Sequence, residues 1–151
     1  MKRLLFILII ILLPTLFSCK KKSAEEYMDK GLISFANEEY DDAIENYLLA
    51  TSVDPKSALA HNYLGIAYRF KYNLTKNREY KRNEEEAFKL AIELDPSFWV
   101  STMNLAATYY YDNRQAEAIP LFKKALEQNP KHKERADIEK LINDYESSQK
   151  K

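Results

Sequence analysis

The stretch "AIPLFKKALEQNP", residues 118–130, has two echoes upstream: "AIENYLLATSVDP" (43–55) and "EEEAFKLAIELDP" (84–96). All three end alike, with a large aromatic ring, an alanine three residues later, and Asp or Asn before a closing proline. Pro96 and Pro130 are 34 residues apart, and so are Gly31 and Gly65. Self-similarity at a fixed period is the mark of a chain built from stacked units. Pro55, Pro96 and Pro130 each stop a helix, because proline disfavours the helical conformation in the residue before it. Composition points the same way. The chain has only two glycines and five prolines, while Ala, Leu, Glu, Lys and Tyr are abundant, which favours helices over sheet.

On these residues the chain resembles the tetratricopeptide repeats (TPR), helix-turn-helix units of about 34 residues. The second unit opens with Leu64-Gly65 and Tyr68. The third carries Leu105-Ala106, Tyr109, Ala118, Phe122, Ala125 and Pro130. The first keeps Tyr27, Gly31, Ala43, Tyr47, Ala50 and Pro55, with Lys30 and Ser34 where Leu and Tyr are usual. The resemblance implies an all-α solenoid of three TPR repeats, 24–56, 57–97 and 98–131. In such a unit Gly31, Gly65 and Ala106 let its two helices approach closely. Ala43 and Ala118 serve that contact from the second helix, where the second unit has Glu84. Tyr47, Phe88 and Phe122 fill the space between stacked units.

One unit is longer than its neighbours. Gly65 to Ala106 spans 41 residues, so about seven extra lie within "FKYNLTKNREYKRNEEE" (70–86), and the insertion is placed near 72–82. Asn73 and Asn77 suggest a loop there, and Asn83 followed by Glu86 is a capping-box pattern that predicts the next helix start. Between residues 71 and 83 Lys71, Lys76, Arg78, Lys81 and Arg82 against Glu79 leave a net charge of +4. Past Pro130, residues 132–151 hold Ile138, Leu141, Ile142 and Tyr145, one apolar stripe on a helix. The remaining faces are charged, as a C-terminal capping helix requires.

The amino terminus has a different character. Met1-Lys2-Arg3 precedes an apolar run from Leu4 to Phe17, which at fourteen residues is short of the roughly 20 a membrane span needs. A basic start, a short apolar stretch and a small residue before a cleavage point form the layout of a secretory signal, here residues 1–18. Cys19 admits three readings. A disulfide needs a second cysteine and the chain has only one. A catalytic thiol wants a nearby base, and His61 and His132 are far along the chain. In the third reading, Leu16-Phe17-Ser18-Cys19 resembles the lipobox of bacterial lipoproteins, although Phe17 is bulkier than usual. That resemblance implies that Cys19 becomes the acylated first residue of a short tether, 19–23, anchored in a bacterial cell envelope. Several acyl chains hold where one is marginal. Lys20 is not the aspartate that retains some lipoproteins at the inner membrane, which favours the outer membrane.

Processing there would remove two of 23 basic residues and none of 23 acidic ones, leaving a net charge of −2. No global basic field calls for nucleic acid. No catalytic set stands out. Glu38-Glu39 and Asp41-Asp42 fall at a turn and a helix start, where acids are expected. His61 takes a packing position often held by Trp, and His132 lies in a basic run. No His/Cys/Asp spacing resembles a metal site and no Gly-rich loop could cradle phosphate, so no cofactor and no enzymatic activity are expected.

Function must then come from surfaces. In the family, the first helix of each unit lines a concave groove for a partner peptide or helix. Carried over, the groove positions are Met28, Leu32 and Phe35, then Asn62, Ile66, Arg69 and Phe70, then Met103, Ala107, Tyr110 and Tyr111. Some members clamp a terminal carboxylate with Lys, Asn and Arg. The matching positions are Met28, Leu32, Tyr63, Val100 and Asn104, four of which are wrong for that clamp. The resemblance thus implies a lipid-anchored adaptor or scaffold for envelope proteins, binding a protein or peptide with an apolar segment. The alternative is a homo-oligomer using the groove or the basic insertion for self-contact. If Cys19 carries the anchor, Cys19→Ala is expected to leave unprocessed precursor and to abolish labelling by radioactive fatty acid. Labelling that persists in the variant would exclude the lipobox.

Overall fold

The computed structural model describes residues 22–150; the expected signal segment, 1–18, and Cys19 lie outside them. Among the described residues the chain is all-helical. In order the elements are α1 (Ala24–Ala36), α2 (Tyr40–Val53), α3 (Ala58–Thr75), α4 (Arg78–Leu94), α5 (Trp99–Tyr111), α6 (Gln115–Gln128) and α7 (Arg135–Ser148). The first six pair as hairpins, α1 with α2, α3 with α4 and α5 with α6, and successive hairpins stack. Among the described residues no helix is long and apolar enough to cross a membrane.

The helix boundaries follow from local chemistry. Ser23 and Ser57 are N-caps whose hydroxyls accept from the Glu26 and Ala60 N–H groups at 3.1 and 3.2 Å. Acidic residues occupy the first turns of α1 and α2, where the helix dipole favours negative charge. The repeated prolines act through the residue before them. Asp54, Asp95 and Asn129 close α2, α4 and α6 with ψ of 85°, 92° and 79°, the non-helical backbone that a following proline demands. The turn inside each hairpin uses a left-handed residue: Glu38 at φ 63°, Lys76 at φ 56° and Asn113 at φ 58°. Asparagine tolerates that region better than glutamate or lysine.

The insertion near 72–82 is not a loop. It lengthens both helices of the second hairpin, so α3 has 18 residues and α4 has 17, against 13 and 14 in α1 and α2. Asn73 lies inside α3. The next helix starts at Arg78 rather than beside Asn83, because Asn77 is the cap and its side-chain oxygen accepts from the Glu79 N–H at 2.9 Å. Two good caps compete here, and the earlier one wins because it adds turns on good helix formers. Lys71 reaches across to Asp41 at 2.6 Å and Lys81 to Asp112 at 3.2 Å, so two of the five basic residues pair with neighbouring hairpins.

Apolar packing forms two clusters. One gathers Ala43, Ile44, Tyr47, Leu64, Tyr68 and Ala87; the other gathers Phe88, Leu105, Tyr109, Phe122 and Leu126 with Ile138 and Ile142 of α7. Leu141 and Tyr145 pack partly buried on the second cluster, so α7 covers the end of the stack with the stripe read from sequence. A polar tie links the second and third hairpins beside this core. Glu85 accepts from Tyr109 Oη at 3.0 Å and from Arg114 Nη1 at 2.7 Å, and pairs with Lys89 at 2.6 Å. Burial alone would raise its carboxyl, but the hydrogen bonds from Arg114, Lys89 and Tyr109 overcome that and hold it down to about 2.

Within a hairpin the tightest constraint is a ring lying on a glycine. A Cβ on Gly31 would sit 2.4 Å from the Tyr47 ring, and one on Gly65 would sit 2.6 Å from the Phe88 ring. Both rings are fully buried and cannot swing aside freely. Gly65→Ala is therefore expected to lower stability by about 1–3 kcal/mol through overpacking, despite the better helix propensity of alanine. Urea unfolding checks this. An unchanged or raised midpoint would show that the ring yields.

Candidate functional site

The groove residues read from sequence fall into four groups. The first contains Met28 and Leu32 of α1. With Ala24, Glu25 and Asp29 of α1, Asp54 and Ser57 of the α2–α3 connection, and Leu59 and Tyr63 of α3, they line a cavity of about 340 Å³. Leu32 is 38% exposed and Leu59 49%, so the cavity offers apolar surface to solvent. Its far wall is firm. Tyr63 stacks on buried Tyr47 with ring centroids 5.7 Å apart. The Tyr47 hydroxyl is pushed up to about 12, by burial first and then by the neighbouring Tyr63, and stays neutral.

Phe35 and Phe70 form the second group. Their rings meet edge-on at 5.0 Å, and Tyr40 lies 5.4 Å from each, joining the end of α1, the start of α2 and the outer part of α3. Phe70 remains 40% exposed while Phe35 is half-buried. The third group sits at the other end. Ile66, Met103 and Tyr110 are partly buried against the second apolar cluster, and Tyr110 lies 6.2 Å from Phe122. Tyr110 also shares a cavity with Leu141 and Tyr145 of α7, so the capping helix takes part of its surface. Tyr111 is 81% exposed and Ala107 is half-buried.

Asn62 and Arg69 have another occupation. Glu84 stands where the first and third units have a small alanine, and it is fully buried. Arg69 Nε donates to Glu84 Oε1 at 2.7 Å. The same guanidinium donates to Asn104 Oδ1 at 3.2 Å, to the Asn104 carbonyl at 2.8 Å and to Thr108 Oγ1 at 2.9 Å, and lies over the Phe88 ring at 5.0 Å. Thr108 donates to Glu84 Oε1 at 2.6 Å, and Lys81 approaches the other carboxylate oxygen at 3.5 Å. Asn62, 2% exposed, accepts from Ser101 and Asn104, each at 3.0 Å. This network fastens α3 and α4 to α5. Four of the five guanidinium donors face inward, so Arg69 is committed to the stack rather than to a ligand. His61 likewise packs at the α2–α3 turn, its Nε2 3.2 Å from the Pro55 carbonyl.

Leu59 and the acids Glu25, Asp29 and Asp54 were missed as site residues. Leu59 lies in the first turn of α3, three residues before Asn62 and 34 after Glu25, and could have been found from the repeat. The acids lie where first turns and pre-proline positions are commonly acidic, which hides any second use.

Paired helices stacked with a 34-residue period define a helical-repeat solenoid. Two segments match tetratricopeptide-repeat models: one described as "TPR repeat" matches residues 31–69, and one described as "Tetratricopeptide repeat" matches residues 102–132. Small glutamine-rich tetratricopeptide repeat-containing protein 2 of Saccharomyces cerevisiae is 28% identical over 131 residues, which is 87% of this chain and 35% of that protein. The chain thus spans about a third of the length of that curated relative. Among solved structures, the first TPR domain of Spaghetti (RPAP3), bound to the HSP90 peptide SRMEEVD, aligns with a TM-score of 0.71 at 22% identity, covering 83% of this chain and 94% of that one. The crystal structure of MamA aligns with a TM-score of 0.62 at 28% identity, covering 72% of this chain and 60% of that one. TPR domains are protein–protein interaction adaptors, and proteins of the family are generally non-enzymatic.

The buried pair gives a direct test of the network. Breaking a buried ion pair from one side typically costs about 3–5 kcal/mol. Arg69→Met is expected to lose that order of stability, leaving Glu84 uncompensated. Adding Glu84→Ala, the residue type of the other two units, is expected to restore most of it. Denaturant midpoints of the single and double variants read the coupling; additive losses would show that the pair does not act as a unit.

Proposed function

We propose that this protein is a non-enzymatic adaptor, lipid-anchored through Cys19 in a bacterial envelope and sorted to the outer membrane, which holds a partner protein in the groove of its first helices. The observation that carries the reading is the cavity between α1 and α3. Its walls are mostly apolar, it is open to solvent and backed by the stacked pair Tyr63 and Tyr47, and it takes in Met28 and Leu32, two of the residues that the resemblance assigns to a groove. Concave, mostly apolar clefts with a few polar groups are where ligands bind. The lipobox-like Leu16-Phe17-Ser18-Cys19, close before Ala24 of α1, supports an anchor at the same end of the molecule.

The partner differs in chemistry from the peptide held by the Spaghetti domain. That peptide, SRMEEVD, has two glutamates and a final aspartate among its last four residues. Here Met28, Leu32, Tyr63 and Val100 supply no cation at the clamp positions, and Asn104 is tied to Arg69 and Asn62. An apolar segment, extended or helical, fits the cavity instead.

Crosslinking in cells tests the reading. A photo-reactive phenylalanine analogue at position 32 or 59 is expected to trap a specific protein. The same group at Leu48, exposed on α2 and lining a different cavity, is expected to trap none of it. Absence of adducts at 32 and 59, or equal trapping from all three positions, would overturn the adaptor reading.

A further inference from the structure

The cavity between α1 and α3 has a charge as well as a shape. Its apolar walls are Met28, Leu32, Leu59 and Tyr63, and the charged residues among its lining are Glu25, Asp29 and Asp54, all acidic. Among the described residues Glu25 and Asp29 have no hydrogen-bond or ion-pair partner through their carboxylates, while one Asp54 oxygen accepts the Lys56 N–H at 3.2 Å. Lys30 and Lys56 neighbour Asp29 and Asp54 in sequence, but neither lines the cavity or forms an ion pair with its acids, and Lys22 lies 5.7 Å over the Tyr27 ring. Two helix N-termini, at Ala24 and Ala58, open close by. Each carries about half a positive charge and is already met by its serine cap, so three whole carboxylates set the sign.

We propose that the occupant of this cavity is a segment in which apolar side chains are flanked by Lys or Arg. The inference rests on the adaptor reading and adds the chemistry of the partner. The apolar walls take the anchoring side chain. The acids sit where flanking cations can reach them, and the same field repels acidic tails and anionic lipid headgroups. Complementary charge of this kind governs encounter rate and choice of partner more than raw affinity, and it weakens with salt. The site opens at Ala24, five residues after Cys19, so the docked segment would lie beside the anchored end of the chain.

The test uses the full chain in detergent and three labelled peptides that share central leucines but carry flanking lysines, serines or glutamates. Anisotropy is expected to show the lysine peptide binding at least about tenfold tighter than the glutamate peptide at low salt, a preference that fades as NaCl rises. In the double variant Glu25→Lys and Asp29→Lys the order is expected to invert, and binding of the glutamate peptide itself then shows that the variant is folded. Leu59→Ser is expected to weaken all three peptides. Equal binding of the three, or a wild-type preference for the glutamate peptide, overturns the inference. Self-association that the double variant abolishes would place a second copy in the cavity and overturns it too. The two readings fail separately: if positions 32 and 59 trap a partner through an acidic segment, the adaptor stands and the basic-segment inference falls.

Discussion

The contact on which the stack depends is an aromatic ring pressed against a glycine. Tyr47 covers Gly31 and Phe88 covers Gly65, each closer than any side chain on the glycine would permit. The approach brings the two helices of a hairpin near enough for a single ring to fill the gap between them. The same rings then face the next unit: Tyr47 packs in one cluster with Leu64 and Tyr68, Phe88 in another with Leu105 and Tyr109. One residue per hairpin therefore sets both the spacing inside a unit and the surface offered to its neighbour. The third unit has Ala106 at the glycine position and accommodates it, with Phe122 still buried at 5% exposure.

Against this apolar pattern the second unit carries one deliberate exception. A carboxylate at Glu84 would be costly alone, since buried charges persist only when paired and hydrogen-bonded. Arg69, Thr108 and Lys81 meet it, and Arg69 in turn holds Asn104. The arrangement reads both sides of a junction: an arginine and an acid in one hairpin fit only a neighbour that presents Asn104 and Thr108. Apolar faces alone resemble one another and could stack in other registers. A junction with named donors and acceptors has one.

Much of the fold was legible because the physics repeats with the period. The ring, the small residue and the pre-proline stop each recur three times, so noise at any one position, such as Lys30 or Ser34, does not hide the pattern. The capping stripe of α7 was legible for the same reason: Ile138, Leu141, Ile142 and Tyr145 are one face of one helix. The lengthened hairpin was misread because Asn77 and Asn83 are both good caps, and a sequence does not say which is used. The groove was only half legible. The repeat places a residue on the inner side of a helix, but it does not say whether a neighbour claims it. Arg69 and Asn62 were claimed by Glu84 and Asn104, Tyr110 shares its surface with α7, Met28 packs half-buried on the first cluster, and Leu32 stayed open.

The uneven junctions make the molecule uneven under stress. In a linear array each unit is stabilised only by its neighbours, so cooperativity is as strong as the weakest interface. Hairpins two and three are joined by the bonds of Arg69 to Asn104 and Thr108, of Thr108 to Glu84 and of Asn104 to Asn62, and by the Glu85–Arg114 contact. The first hairpin meets the second chiefly through rings and aliphatics, and α7 leans on the stack along one stripe. Pulled or heated, such a chain gives way from both ends toward a middle block of α3 to α6. The hairpin that bears the cavity is then also the one best able to loosen and re-form around a guest, while the block behind it keeps its shape.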